Sequence, residues 1–187
     1  MNRYLPLALI AGLLIVFRIV GSAFPESLPN FQPLAAVFFC GALLAPGWRG
    51  FAIPFGIWAV TFPLGVGHVS SPLDFASTCL ALVTIYLLGK QLSHRGVPLL
   101  LVGSAVAAVV FHLITCGAAW ITDPLYAKNM EGLFQSVWSG PLTSKIPSWV
   151  FLRNLTAANV LFTAIFVLAQ LRLPKPTVAV SGTAFAK

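Results

Sequence analysis

Apolar runs separated by short polar turns dominate the chain, and their lengths are those of helices rather than strands. The runs at about 4–23, 31–45, 51–67, 73–88, 97–121 and 149–171 are rich in Leu, Val, Ile, Phe and Ala. Roughly 20 such residues cross the hydrocarbon core of a bilayer as a helix, so the pattern predicts six transmembrane helices, spans 1 to 6. No small-residue cleavage site followed by a polar mature segment comes after span 1, which therefore reads as a helix and not as a signal peptide. Span 2 is short and carries Pro33 in its first helical turn, where a missing N–H is harmless. Span 3 carries Pro54 and Pro63, and the turn 46–50 between the two makes them a hairpin.

The polar stretches differ in character. Residues 122–148 are too polar to span, yet Leu125, Tyr126, Met130, Leu133, Phe134, Val137 and Trp138 recur at roughly helical spacing. That spacing predicts an amphipathic segment at the membrane interface, either a lid or a passive interfacial helix. Residues 174–187 are small and polar, and are expected to form a loose tail.

Orientation follows from the basic residues outside the spans. Arg3, Arg49, Lys90, Arg95, Arg172, Lys175 and Lys187 share the side of both termini, and Lys128 and Lys145 take the other. The expectation is a multi-pass protein of the bacterial inner membrane with both termini cytoplasmic.

Composition sharpens this reading: 58% of the 187 residues are hydrophobic and 8% charged, against roughly half and a quarter in an ordinary soluble domain. The fold class is therefore all-α, a single transmembrane domain over 1–173. The formal charge of +7 comes from basic residues scattered singly beside apolar runs, which suits topology and not nucleic-acid binding.

No catalytic constellation is present. HExxH, CxxC, GxSxG and the phosphate-binding GxxxxGK[ST] are all missing from the sequence, and Cys40, Cys79 and Cys116 sit in three separate spans without ligand spacing. The chain is read as no enzyme, with no cofactor and no metal. Polar side chains within the spans are the informative feature, because such groups cost several kcal/mol unless they face protein or water. With the orientation applied, Arg18, Asn30, Gln32, His68, Asp74, His112, Thr115, Trp120, Arg153 and Asn154 fall in the outer half.

Each has a structural alternative. Arg18 can snorkel or pair with Glu26. Arg153 starts a stripe with Thr156, Asn159 and Thr163 and is expected to face the bundle interior, as a ligand contact or in a pair with Asp74 or Asp123. Asn154 points to another face and can bond to a neighbouring helix. His112 and Thr115 lie one turn apart beneath Trp120, as one wall of an outward pocket or as satisfied structural groups. Trp120, Trp138 and Trp149 suit an interfacial belt equally well. Small residues, Ala8 and Gly12 in span 1, Ala36 with Cys40 and Gly41 with Ala45 in span 2, and Gly103, Ser104, Ala107 and Ala108 in span 5, allow close helix approach or docking of a partner.

Residues Asn30 to Gly50, NFQPLAAVFFCGALLAPGWRG, resemble the second helix and turn of the membrane-embedded S-components of energy-coupling-factor (ECF) vitamin transporters, the biotin type in particular. Over about Tyr4 to Leu171 the chain more closely resembles a family of small uncharacterised bacterial membrane proteins with an S-component-like pattern. Its Asn-Phe-x-Pro opening is matched by Asn30-Phe31-Gln32-Pro33, its helix ending near Trp by Trp120, and its Phe-x-Arg-Asn by Phe151-Leu152-Arg153-Asn154. Where that family has Gly-Asp soon afterwards, this chain has Ala158-Asn159.

The resemblance implies an S-component-like six-helix bundle that takes a small metabolite from the outer side. It also implies docking, through small residues such as Ala8 and Gly12, onto a transmembrane coupling subunit driven by cytoplasmic ATPases. The expected function is capture of a small solute, anionic if the basic side chains contact it. Arg153 and Arg18 would supply charge, Asn30, Gln32 and His112 hydrogen bonds, and Trp120 an apolar wall. The alternative is a non-transporting accessory or structural subunit of a membrane complex.

Overall fold

The computed structural model describes residues 12–17, 19–20, 24, 26–45, 47–61 and 71–172. Every regular element among them is helical: a helical stretch at 12–17 and 19–20, then α1 (Leu34–Phe39), α2 (Gly41–Leu44), α3 (Arg49–Thr61), α4 (Pro72–Leu92), α5 (Val97–Thr122), α6 (Met130–Val137) and α7 (Ser148–Arg172). The tail at 174–187 lies outside the described residues.

Three of these helices are long and apolar enough to cross a membrane: Pro72–Leu92, Val97–Thr122 and Ser148–Leu171, with mean hydropathies of 1.5, 2.4 and 1.6. At 1.5 Å per residue even the shortest, at 21 residues, covers a hydrocarbon core of about 30 Å. Their outward faces are as apolar as their inward ones. Leu80, Leu87, Val102, Val106, Leu113, Leu161 and Leu168 are all exposed, which suits lipid and would be costly in water. The chain is a membrane protein on these grounds.

The six-span expectation is carried only as far as those three among the described residues. The predicted span 31–45 is two short helices, interrupted at Cys40, and α3, with Pro54 inside it, is a shorter apolar helix. The reason for the short α1 is packing: all six of its residues are buried, so it forms the centre of the bundle and offers no face to lipid.

Local chemistry explains where α4 and α5 begin. Ser71 accepts from the Asp74 amide and Asp74 accepts from the Ser71 amide, 3.1 and 3.0 Å, with Pro72 in the first turn; this reciprocal capping satisfies donors that the helix cannot. Ser77, Ala81, Ile85 and Gly89 then form one buried stripe of α4. The turn at 93–96 returns the chain into α5, whose Leu100, Gly103, Ser104, Ala107, Ala108 and Phe111 face inward at three- and four-residue spacing. α7 buries Asn154, Leu155, Ala158, Asn159, Phe162, Thr163, Phe166 and Val167 in the same rhythm.

Two glycine contacts set how closely these elements meet. A Cβ on Gly89 would lie 1.8 Å from the Phe39 carbonyl oxygen, and one on Gly41 would lie 2.3 Å from the Gly50 carbonyl oxygen. Both neighbours are backbone and cannot swing aside. Aromatic rings close the remaining gaps: Phe38 on Phe51 at 5.4 Å, Trp58 stacked on Phe75 at 5.3 Å, and Phe17 against Phe162 at 5.0 Å.

Gly89→Ala should lower stability by about 1–3 kcal/mol, because the added methyl separates α4 from α1. Gly56→Ala, which meets nothing within 4 Å, should be neutral or raise it by up to about 1 kcal/mol. Thermal unfolding of the detergent-solubilised protein separates the two.

Candidate functional site

Polar side chains gather where the C-terminus of α5 meets the N-terminus of α7, under the segment that carries α6. That segment is strapped down. His112, 4% exposed, places Nε2 2.9 Å from the Val137 carbonyl oxygen. A carbonyl only accepts, so Nε2 carries a proton toward it, and Cys116 Sγ lies 3.5 Å from Nε2 and 3.7 Å from Nδ1. The buried Ser136 hydroxyl is 3.1 Å from the Cys116 carbonyl and 3.0 Å from that of Leu133, either of which can receive its proton. Trp120 Nε1 donates to the Ala127 carbonyl at 2.8 Å.

Three further devices fix the strap. Lys128 donates to the Asp123 carbonyl at 2.6 Å and also to that of Trp120, which puts a cation on carbonyls at the α5 C-terminus. Asn129 caps α6 by accepting from the Gly132 amide at 2.9 Å, and Trp149 N donates to the Trp138 carbonyl at 2.9 Å. Tyr126 is buried under the strap, and burial above all pushes its phenol up from the ordinary value, with Cys116 and Asp123 adding to it.

Within the segment 122–148, α6 exposes Met130, Phe134 and its C-cap Trp138, and buries Gly132 and Ser136.

A second group lies at the start of α7. Asn30 adopts φ 61°, a left-handed conformation that Asn tolerates better than most residues, and its Oδ1 accepts from Gln32 Nε2 at 3.1 Å. Asn154, buried, donates through Nδ2 to the Pro29 carbonyl at 3.0 Å, and its Oδ1 accepts from Arg153 Nε and Nη2, both at 3.2 Å. The turn at 29–32 is thereby tied to α7.

A third group sits deeper. Asn159 and Thr163 are fully buried, Asn159 Nδ2 donates to the Ser104 carbonyl at 2.6 Å, and Cys40 Sγ lies 3.8 Å from Thr163 Oγ1. Asn159 Oδ1 is buried without a hydrogen-bond partner.

The expected site residues therefore do not converge. His112 and Trp120 hold the strap, while Asn30 and Gln32 bond to each other in the turn. Arg153 departs from the expectation outright: it is exposed instead of facing the interior, because the buried stripe of α7 runs through Asn154, Ala158 and Asn159 and leaves residue 153 on the opposite side. It makes no pair with Asp74 or Asp123 either; among the described residues the ion pair is Lys145 with Glu26, 3.9 Å apart and exposed. Gly12 is exposed with open space at its Cβ, and Arg18 and Ala8 lie outside the described residues.

Sequence reasoning allowed Asn154 a bond to a neighbouring helix and put Asn159 on the interior stripe of Arg153; it missed that the two asparagines share one buried stripe. The signal was available in the repeat 154, 155, 158, 159, 162, 163, which excludes 153. No group of three or more His, Cys, Asp or Glu side chains among the described residues could hold a metal ion.

A family model matches residues 1–178, and by it the chain belongs to the family of unknown function DUF6580. No curated protein and no solved structure matches the chain.

His112→Ala removes one partner of a buried hydrogen bond, and the Val137 carbonyl is left to find another donor, at a cost of about 1–3 kcal/mol. Amide hydrogen exchange should accelerate over 130–140 while the middle of α5 keeps its protection; equal acceleration in both places would refute the strap.

Proposed function

We propose that this DUF6580 member is a non-catalytic, accessory or structural subunit of a bacterial inner-membrane complex, multi-pass with both termini cytoplasmic. One observation carries the reading: the described polar groups of the outer half are consumed in holding the chain together. His112, Ser136 and Trp120 bind the strap, and Asn30, Gln32 and Asn154 bind the turn at 29–32. A polar group in lipid is stabilised by such bonds, so their presence calls for no ligand.

A second reading, S-component-like capture of a small solute for an ATPase-driven coupling subunit, draws on Asn159. An acceptor left without a donor at the centre of a bundle is what a solute with an N–H or O–H group would satisfy, since leaving it bare costs about 1–3 kcal/mol. In this reading Arg153 is not a solute contact, because it faces outward.

Melting of the purified protein against a panel of vitamins, nucleobases and organic anions separates the two. The accessory role predicts no shift. A ligand bound to the folded form alone at about 100 times its Kd would raise stability by about 2.7 kcal/mol; such a gain, lost in Asn159→Ala, would replace the accessory reading with capture. Alkaline phosphatase fused after residue 172 should be inactive in cells if that end is cytoplasmic.

A further inference from the structure

The exposed arginine of α7 has surroundings that identify a partner. Arg153 is the sixth residue of Ser148–Leu171, a helix of 24 residues and so about 36 Å long. Centred in a hydrocarbon core of about 30 Å, it would place the Arg153 backbone a few ångströms below the upper edge of the acyl chains. A guanidinium facing lipid there is costly unless its stem carries it up to an anion. Nε and Nη2 are held by Asn154 Oδ1, and the guanidinium carbon lies 5.3 Å from the centroid of the Trp149 ring, a cation–π contact. Trp138 stands beside Trp149 at 6.5 Å, as in the aromatic belt of a headgroup layer. The head is thus oriented, and among the described residues no carboxylate pairs with it.

Below Arg153 the same face continues as Ala157, Leu161, Ile165 and Leu168, all exposed. Their spacing of four, four, four and three keeps them in one line down the helix. A fixed cation above an unbroken apolar track matches a molecule with an anionic head and long alkyl chains, and a free anion would leave the track unused.

We propose that Arg153, with Trp149 and Trp138, binds the phosphate of a glycerophospholipid whose acyl chain lies along Ala157, Leu161, Ile165 and Leu168. The assignment rests on α7 crossing the bilayer and is independent of whether the chain captures a solute. Arginine donates in a fork that fits phosphate oxygens, so the headgroup phosphate, and not the alcohol attached to it, is the recognised part.

The full chain in maltoside micelles, which carry no phosphate, is titrated with phosphatidylglycerol, with a glucosyl diacylglycerol of the same acyl chains, and with inorganic phosphate, and its melting is followed. Phosphatidylglycerol should raise the melting temperature more than the glycolipid, and inorganic phosphate should not change it. Arg153→Gln should weaken the apparent phosphatidylglycerol affinity about tenfold and leave the glycolipid response unchanged. Equal responses of the unmutated protein to the two lipids would overturn the proposal without recourse to any variant. So would an undiminished response in Arg153→Gln, and a shift with inorganic phosphate alone would assign the arginine to a soluble anion instead.

Discussion

The hydrogen bond from Asn159 to the Ser104 carbonyl ties α5 to α7 deep in the bundle, where neither water nor lipid can substitute for it. Both residues are fully buried. A donor in that position has a single neighbour to satisfy it, so sliding either helix by a residue would strand it. The small residues beside it, Ala107 and Ala108 on α5 and Ala158 on α7, all fully buried, let the two backbones come close enough for the bond to form. α5 is in turn the post to which α4, α6 and the buried α1 are fitted, and its register decides where each of them meets it.

Hydrophobicity does not supply that register. In lipid the inner and outer faces of a helix are equally apolar, so burial gives little preference for one rotation over another. Here the preference comes from shape and from hydrogen bonds. Backbone contact at Gly89 with Phe39 sets α4 against α1, and contact at Gly41 with Gly50 sets α3 against α2. Side chain to backbone bonds from His112, Ser136 and Trp120 fasten the strap over the end of α5. The described polar groups lie in three sets at different depths, which is why they read as fasteners; Asn159 Oδ1 among them is buried without a partner.

The outer surface follows the same division of labour. Exposed Leu, Val and Ile cover the long helices, and the aromatic and basic residues are confined to the ends, with Trp138, Trp149 and Arg153 at one and Lys90 and Arg95 at the other. Met130, Phe134 and the C-cap Trp138 of α6 extend this exposed apolar surface. An arginine in that setting belongs to the boundary between protein and lipid, and its geometry is set by Asn154, the residue that also ties the turn at 29–32 to α7.

Length and hydropathy in the sequence were enough to locate α4, α5 and α7 within a residue or a few of their ends, because a bilayer imposes both quantities directly on the chain. They also placed an amphipathic helix within 122–148. What only the tertiary structure decided was which side of each helix is inside. Residues 31–45 read as one short span by composition, yet α1 is wholly enclosed and α2 follows it after a break. Arg153 looks like an interior group by its distance from Thr156, Asn159 and Thr163, yet it is Asn154 that turns inward. In a helix whose faces are equally apolar, rotation depends on a few hydrogen-bonding and glycine contacts between segments distant in sequence, and those partners become visible only once the helices are packed.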